Sequence, residues 1–140
     1  MLPKLENPTY QLEQPSTGET IKYRPFLVKE QKVLMLAMES DENTQMKDTM
    51  AQLISTCTFE KVDPFKVPMF DIEYMFLQIR SKSAGETVEL SVICPDDEKT
   101  TAKIKINLNE VCVQMENEHT NTVDVTDTIK IIMRYPSLND

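Results

Sequence analysis

The chain of 140 residues contains no tryptophan, two glycines, one histidine and three cysteines. Two glycines cannot form the clustered loops that hold phosphates, which excludes nucleotide-binding proteins of the Walker and Rossmann types. A single histidine leaves little basis for a triad in which a base activates a nucleophile. No apolar run approaches a membrane span and the N-terminus has no signal-peptide core, so we expect a protein of the cytosol with no membrane partner.

The charge balance is acidic, since 23 Asp and Glu residues against 15 Lys and Arg give a net charge of −8. Proteins that bind nucleic acid neutralise its phosphates with basic side chains, so we expect no nucleic-acid partner. Between residues 107 and 128 there is no Lys or Arg at all. This acidic stretch is either a solvated surface or a docking face for a basic partner. Its acidic residues are Glu110, Glu116, Glu118, Asp124 and Asp127.

The cysteines and the histidine are the natural place to look for a metal site. Cys94, Cys112 and His119 share one region of the sequence, but no Cys-x-x-Cys pair occurs among them. Structural zinc sites usually hold their ligands at short, paired spacings. We therefore expect no metal and no cofactor, and a small Cys/His metal-binding module is the alternative. With Cys57, these thiols are expected to be unpaired and at least half-buried, because a cytosolic setting disfavours disulfides.

The first half of the chain predicts a β-hairpin followed by a helical hairpin. Two alternating runs, 9–13 and 20–23, flank a turn rich in Pro, Ser and Gly. Pro25 keeps Arg24 out of the helical region and suits the first turn of a helix itself. Two helices are predicted next, the first ending near Glu39. Their apolar stripes are Leu27, Leu34, Met35 and Met38 on the first, and Met46, Met50, Leu53, Ile54 and Cys57 on the second.

The second half predicts a third helix and a C-terminal antiparallel hairpin. Residues 72, 75, 76 and 79 are apolar at helical spacing, Asp71 and Glu73 suit the positive end of the helix dipole, and Gly85 is the expected C-cap. Strands over 86–94 and 100–108 flank a turn at Pro95. One or two strands are added by Val111–Met115 and by the apolar run at 129–135. The whole is an α+β fold in a single domain over 1–140. The predicted core comprises Leu34, Met50, Leu53, Ile54, Phe76 and Ile79.

Several separated strings, in a fixed order, carry a resemblance to a known family. They are Pro15-Ser16-Thr17-Gly18-Glu19, Tyr23-Arg24-Pro25-Phe26-Leu27-Val28-Lys29-Glu30, Phe70-Asp71-Ile72-Glu73-Tyr74 through Gly85-Glu86, Cys94-Pro95-Asp96-Asp97 and Met133-Arg134-Tyr135-Pro136-Ser137. Together they resemble the baseplate hub assembly protein family of T-even-type contractile-tailed bacteriophages. The resemblance implies a non-enzymatic phage protein required to build the central baseplate hub. It also implies other tail proteins as partners, namely the hub and tape-measure proteins.

Two roles within that family stay open on sequence alone. The protein is either an assembly factor that works in the host cytoplasm and then leaves, or a stoichiometric hub subunit retained in the virion tail baseplate. Family members generally extend further at the C-terminus, which predicts a short variant or a missing final segment here. Arg24 and Arg80 lie at element boundaries inside the shared strings. Each could bind carboxylates or carbonyls of a partner, with a structural role inside the chain as the alternative.

Overall fold

The computed structural model describes residues 7–40, 43–116 and 119–140. Within these residues, three helices and three two-stranded antiparallel sheets confirm the α+β fold with an N-terminal and a C-terminal hairpin. The elements in chain order are β1 (Tyr10–Glu13), β2 (Thr20–Tyr23), α1 (Val28–Glu39), α2 (Asn43–Cys57), α3 (Met69–Ala84), β3 (Thr87–Ile93), β4 (Thr101–Asn107), β5 (Thr122–Thr126) and β6 (Ile129–Ile132).

The N-terminal hairpin forms because its turn closes with defined backbone hydrogen bonds. The Gln14 amide donates to the Glu19 carbonyl at 2.9 Å, and the Gly18 amide donates to the Gln14 carbonyl at 2.8 Å. Gly18 has a φ of 72°, a left-handed conformation that glycine adopts without steric cost. The alternation of the strands then directs one face, which includes Tyr23, onto the helices.

The core lies between the N-terminal hairpin and the three helices. It agrees with the prediction at Leu34, Leu53, Ile54 and Ile79, which are all buried. Met50 and Phe76 instead pack half-buried at its edge, because the helical period turns them away from the centre of the contact. The buried apolar cluster comprises Leu12, Ile21, Tyr23, Leu34, Ala51, Leu53, Ile54, Cys57, Val62, Ile72, Met75, Ile79 and Leu138.

Helix α1 differs from the prediction at both ends of its apolar stripe. It begins at Val28 and not at Pro25, because Leu27 is extended (φ −84°, ψ 162°) and serves as the N-cap. Met35 and Met38 are exposed, because α1 is covered only on the side that carries Leu34 and Ala37. The run from 33 to 38 is apolar at every position, so the sequence period alone could not identify the buried side.

The two C-terminal hairpins lie outside the core cluster, to which β3, β4, β5 and β6 contribute no residue. Gly85 ends α3 with a φ of 112°, which confirms the expected C-cap. Val111–Met115 is not a strand; it is irregular backbone after a short 3-10 turn at Leu108–Glu110, so that prediction is wrong. Strands β5 and β6 pair with each other in a separate sheet and do not extend the sheet of β3 and β4.

Candidate functional site

Arg24 is held at the corner between β2 and α1 by an ion pair with Glu30. Its Nη1 donates to Glu30 Oε2 at 3.0 Å, and its Nη2 donates to Glu30 Oε1 at 2.8 Å, which makes the pair bidentate. Nη1 also donates to the Pro25 carbonyl at 2.9 Å. Glu30 Oε2 accepts from the Leu27 amide at 2.7 Å and so satisfies an amide at the start of α1. The guanidinium of Arg24 therefore makes its hydrogen bonds within the chain.

We expect Arg24→Lys to destabilise the fold by about 1 to 2 kcal/mol, because lysine cannot reproduce a bidentate pair. The Arg24 hydrogen bonds lower the pKa of the Glu30 carboxyl, against the opposing effect of burial. At pH values above the ordinary pKa of a glutamate, the ion pair therefore contributes its full stabilisation of the fold. This contribution is lost as the pH falls through the lowered pKa of Glu30. Urea unfolding of both proteins at several pH values measures the difference, which should shrink in acid.

Arg80→Lys is the matched control for this experiment, because Arg80 makes no ion pair with any residue that the structure describes. Its midpoint of unfolding should stay close to that of the wild type. If Arg24→Lys and Arg80→Lys lose the same amount of stability, the structural role of the Arg24 pair is contradicted. A difference in stability between them that does not change with pH would contradict it as well.

The other residues predicted to bind partners are spread over a wide, open surface. Arg80 is half-buried on α3. Glu110 accepts from Asn107 Nδ2 at 2.8 Å, and Asp124 forms an exposed ion pair with Lys130 at 3.1 Å. Glu116 and Asp127 are exposed, the latter in the turn between β5 and β6. Glu118 lies outside the described residues. These groups do not converge on one pocket, so as contacts they would act at the rim of an interface.

Asp71 is the polar residue that the sequence did not single out for a tertiary role. Its side chain is fully buried in the first turn of α3. Oδ1 accepts from the Ser16 amide at 3.0 Å, and Oδ2 accepts from Gln14 Nε2 at 2.7 Å and from the Ser16 hydroxyl. The partners lie 55 and 57 residues away in the sequence. Asp71 therefore ties the turn of the N-terminal hairpin to the start of α3.

The thiols and the histidine do not form the alternative metal site. Among the described residues, no group of three or more His, Cys, Asp or Glu side chains is arranged to hold a metal ion. Cys112 is exposed, contrary to expectation, and Cys94 is half-buried. Cys57 is buried, which raises the pKa of its thiol to about 11 and leaves it a weak nucleophile. His119 stacks on the ring of Tyr135, with ring centroids 5.6 Å apart.

The most unusual feature of the surface is its exposed apolar area. Open apolar side chains occur on α1 and on both C-terminal hairpins. They are Val28, Val33, Met35, Leu36 and Met38 on α1, Leu90, Val92, Ile93 and Ile104 on the first hairpin, and Val123, Val125, Ile129, Ile131, Ile132 and Met133 on or beside the second.

Patches of this kind usually mark surfaces that another protein covers. Among the helices that the structure describes, none is long and apolar enough to cross a bilayer. The fold and its open surfaces thus define a small α+β protein suited to contact with other proteins.

The family follows from comparison with known proteins. A family model described as T4 bacteriophage base plate protein matches residues 7–140, and the chain belongs to that family. This confirms the resemblance to baseplate proteins of T4-type phages seen in the sequence. No match was found among curated proteins or among solved structures. As a member of a phage baseplate protein family, the chain has a role in the phage tail and interacts with other tail proteins.

Proposed function

We propose that this chain helps to assemble the central hub of the phage baseplate by binding other tail proteins, with no catalytic step and no cofactor. Support comes from α1, which is apolar at every position from Val33 to Met38 yet buries only Leu34 and Ala37. A helical segment that is apolar on all sides is normally enclosed. The exposed apolar side chains on the two flanks of this segment are therefore the surface we assign to a partner.

The exposed side chains of α1 are of the type that adapts to a partner's shape. Leu36 and Met38 are 66% and 67% exposed. Methionine is unbranched and polarizable, so it fills irregular gaps and tolerates partners of different shape. Leu36 and Met38 project to opposite flanks of the buried side, so apolar segments of a hub or tape-measure protein that enclose α1 on both flanks would cover this surface.

Charged residues elsewhere on the surface would affect mainly the rate of association. We include Arg80, Glu110, Glu116, Glu118, Asp124 and Asp127 as partner contacts of this kind, while Arg24 positions α1 through its ion pair with Glu30. Rim charges steer encounter and make it sensitive to salt, while buried apolar contacts set the dissociation rate. Binding takes place in the host cytoplasm while the tail is assembled.

The test is binding of purified hub and tape-measure proteins to a variant that carries Leu36→Ser and Met38→Ser together. We expect affinity to fall by about thirtyfold or more, because the loss of even one central apolar anchor typically costs about 2 kcal/mol. The matched control carries Gln31→Ser and Lys32→Ser, two exposed polar changes on the same helix, and should bind like the wild type. Circular dichroism checks that both variants remain folded.

Unchanged affinity of the Leu36 and Met38 variant for all hub and tape-measure proteins would exclude α1 as the contact. A hub subunit stays in the finished phage particle, whereas an assembly factor leaves before the particle is complete. Mass spectrometry of purified virions separates them, since a hub subunit remains at a fixed copy number and an assembly factor is absent.

A further inference from the structure

The two C-terminal hairpins share one design, with an acidic first strand and a basic second strand. In the first, Glu89 on β3 lies opposite Lys105 on β4, and their charged groups are 3.4 Å apart. In the second, Asp124 on β5 lies opposite Lys130 on β6, at 3.1 Å. The charges occupy one face of each hairpin, because directly opposed residues project to the same side.

The other face of each hairpin is apolar, and most of its side chains are exposed. On the first hairpin it carries Val88, Leu90, Val92, Ala102, Ile104 and Ile106, which are paired across the two strands. On the second it carries Val123 opposite Ile131, with Val125 and Ile129 beyond the irregularity next to Asp124. No third strand pairs with either hairpin in the part of the chain that the structure describes.

Two-stranded hairpins of this kind are marginal in water and gain stability from a further strand. Each outer strand also presents a row of unpaired backbone amides and carbonyls that can accept one. Both hairpins therefore have open edges, and the charge on each edge determines which strand fits there.

Strand β4 has the sequence that the edge of β5 requires. It alternates lysine and isoleucine through Lys103, Ile104, Lys105 and Ile106, whereas β5 alternates valine with Asp124 in a stretch that has no basic residue. With the strands antiparallel and Asp124 opposite Lys105, Val123 falls opposite Ile106 and Val125 opposite Ile104. Charges then meet on one face and apolar side chains on the other.

Pairing of like strands is disfavoured by the same rule. Two copies of β4 would bring lysines together, and two copies of β5 would bring Asp124 close to its equivalent, so like charges would repel. The net charge of −8 also opposes association of two copies. That repulsion is screened beyond about 8 Å at physiological salt, so the local match between the strands outweighs it.

We propose that β4 of one copy pairs with β5 of a second copy, forming a four-stranded sheet with one continuous apolar face. This self-association is separate from the binding of other tail proteins by α1. The contact joins two different edges, β4 of one copy and β5 of another. It can therefore form either a closed dimer with two such contacts or an open chain of copies.

Charge inversion tests the pairing while keeping the ion pair inside each hairpin. The first variant carries E89K, K103E and K105E, and the second carries D124K and K130D. Each variant alone should self-associate about tenfold or more weakly than the wild type in sedimentation equilibrium, since every proposed contact now joins like charges. An equimolar mixture should recover association, because β4 of each variant then complements β5 of the other.

A cross-link gives a second measurement that does not depend on charge inversion. In a background with C94S and C112S, one tagged copy carries K105C and a second, differently tagged copy carries D124C. A disulfide between the two tagged copies under mild oxidation supports the pairing. A monomeric wild type at its highest soluble concentration, folded variants that associate as tightly as the wild type, or a mixture that stays dissociated would each overturn the proposal.

Discussion

Replacing Asp71 with alanine is expected to lower the free energy of unfolding by about 3 to 5 kcal/mol, because a buried acceptor of several hydrogen bonds is lost. The Gln14 amide group and the Ser16 backbone amide would keep their donors but lose the carboxylate. A buried donor without an acceptor pays the full cost of losing its water. Urea unfolding followed by circular dichroism measures the change.

Glu73→Ala is the matched control, since Glu73 lies two residues further along the same helix and is exposed. Its unfolding midpoint should stay near that of the wild type. Ser16→Ala should fall between the two, because it removes the hydroxyl and leaves the Ser16 amide bonded to Asp71. If Asp71→Ala proves no less stable than Glu73→Ala, the carboxylate does not tie the hairpin to α3.

The second large effect is expected from Ile79→Ala, which should cost about 2 to 5 kcal/mol. Ile79 is 0% exposed on α3 and belongs to the core cluster. Its truncation removes buried methyl groups and leaves a cavity that the surrounding helices can fill only in part. Chemical denaturation with guanidinium chloride is the measurement.

Ile132→Ala provides the same chemical change at a site that is 77% exposed. It should leave the stability of the isolated protein within about 0.5 kcal/mol of the wild type. Similar losses at positions 79 and 132 would mean that the core does not lie between the helices and the N-terminal hairpin as described.

The sequence predicted the helices and the hairpins because their patterns are local. Alternation over 20–23 and helical spacing at residues 72, 75, 76 and 79 each identify an element without reference to the rest of the chain. The exposed side of α1 escaped the same reasoning, because Val33 to Met38 is apolar at every position. Which side is covered depends on α2, which is tertiary information.

The tertiary role of Asp71 could not be predicted for a similar reason. A carboxylate in the first turn of a helix is already accounted for by the helix dipole, so nothing in the sequence pointed to partners more than 50 residues away. The position of Glu30 was easier to interpret from the sequence. It is the third residue of α1, where a glutamate commonly accepts a hydrogen bond from the N-cap amide. Strand β5 was overlooked because its valines lie within the acidic stretch.

Complementation of a phage that lacks this gene tests most directly whether the chain builds the baseplate by binding tail proteins. Infected cells receive the wild-type chain, the variant with Leu36→Ser and Met38→Ser, or the control with Gln31→Ser and Lys32→Ser, and complete tails are counted by electron microscopy. We predict that the wild type and the control restore tails, while the apolar-surface variant remains folded and abundant but does not. Normal tails without the gene, or full restoration by the apolar-surface variant, would contradict this function.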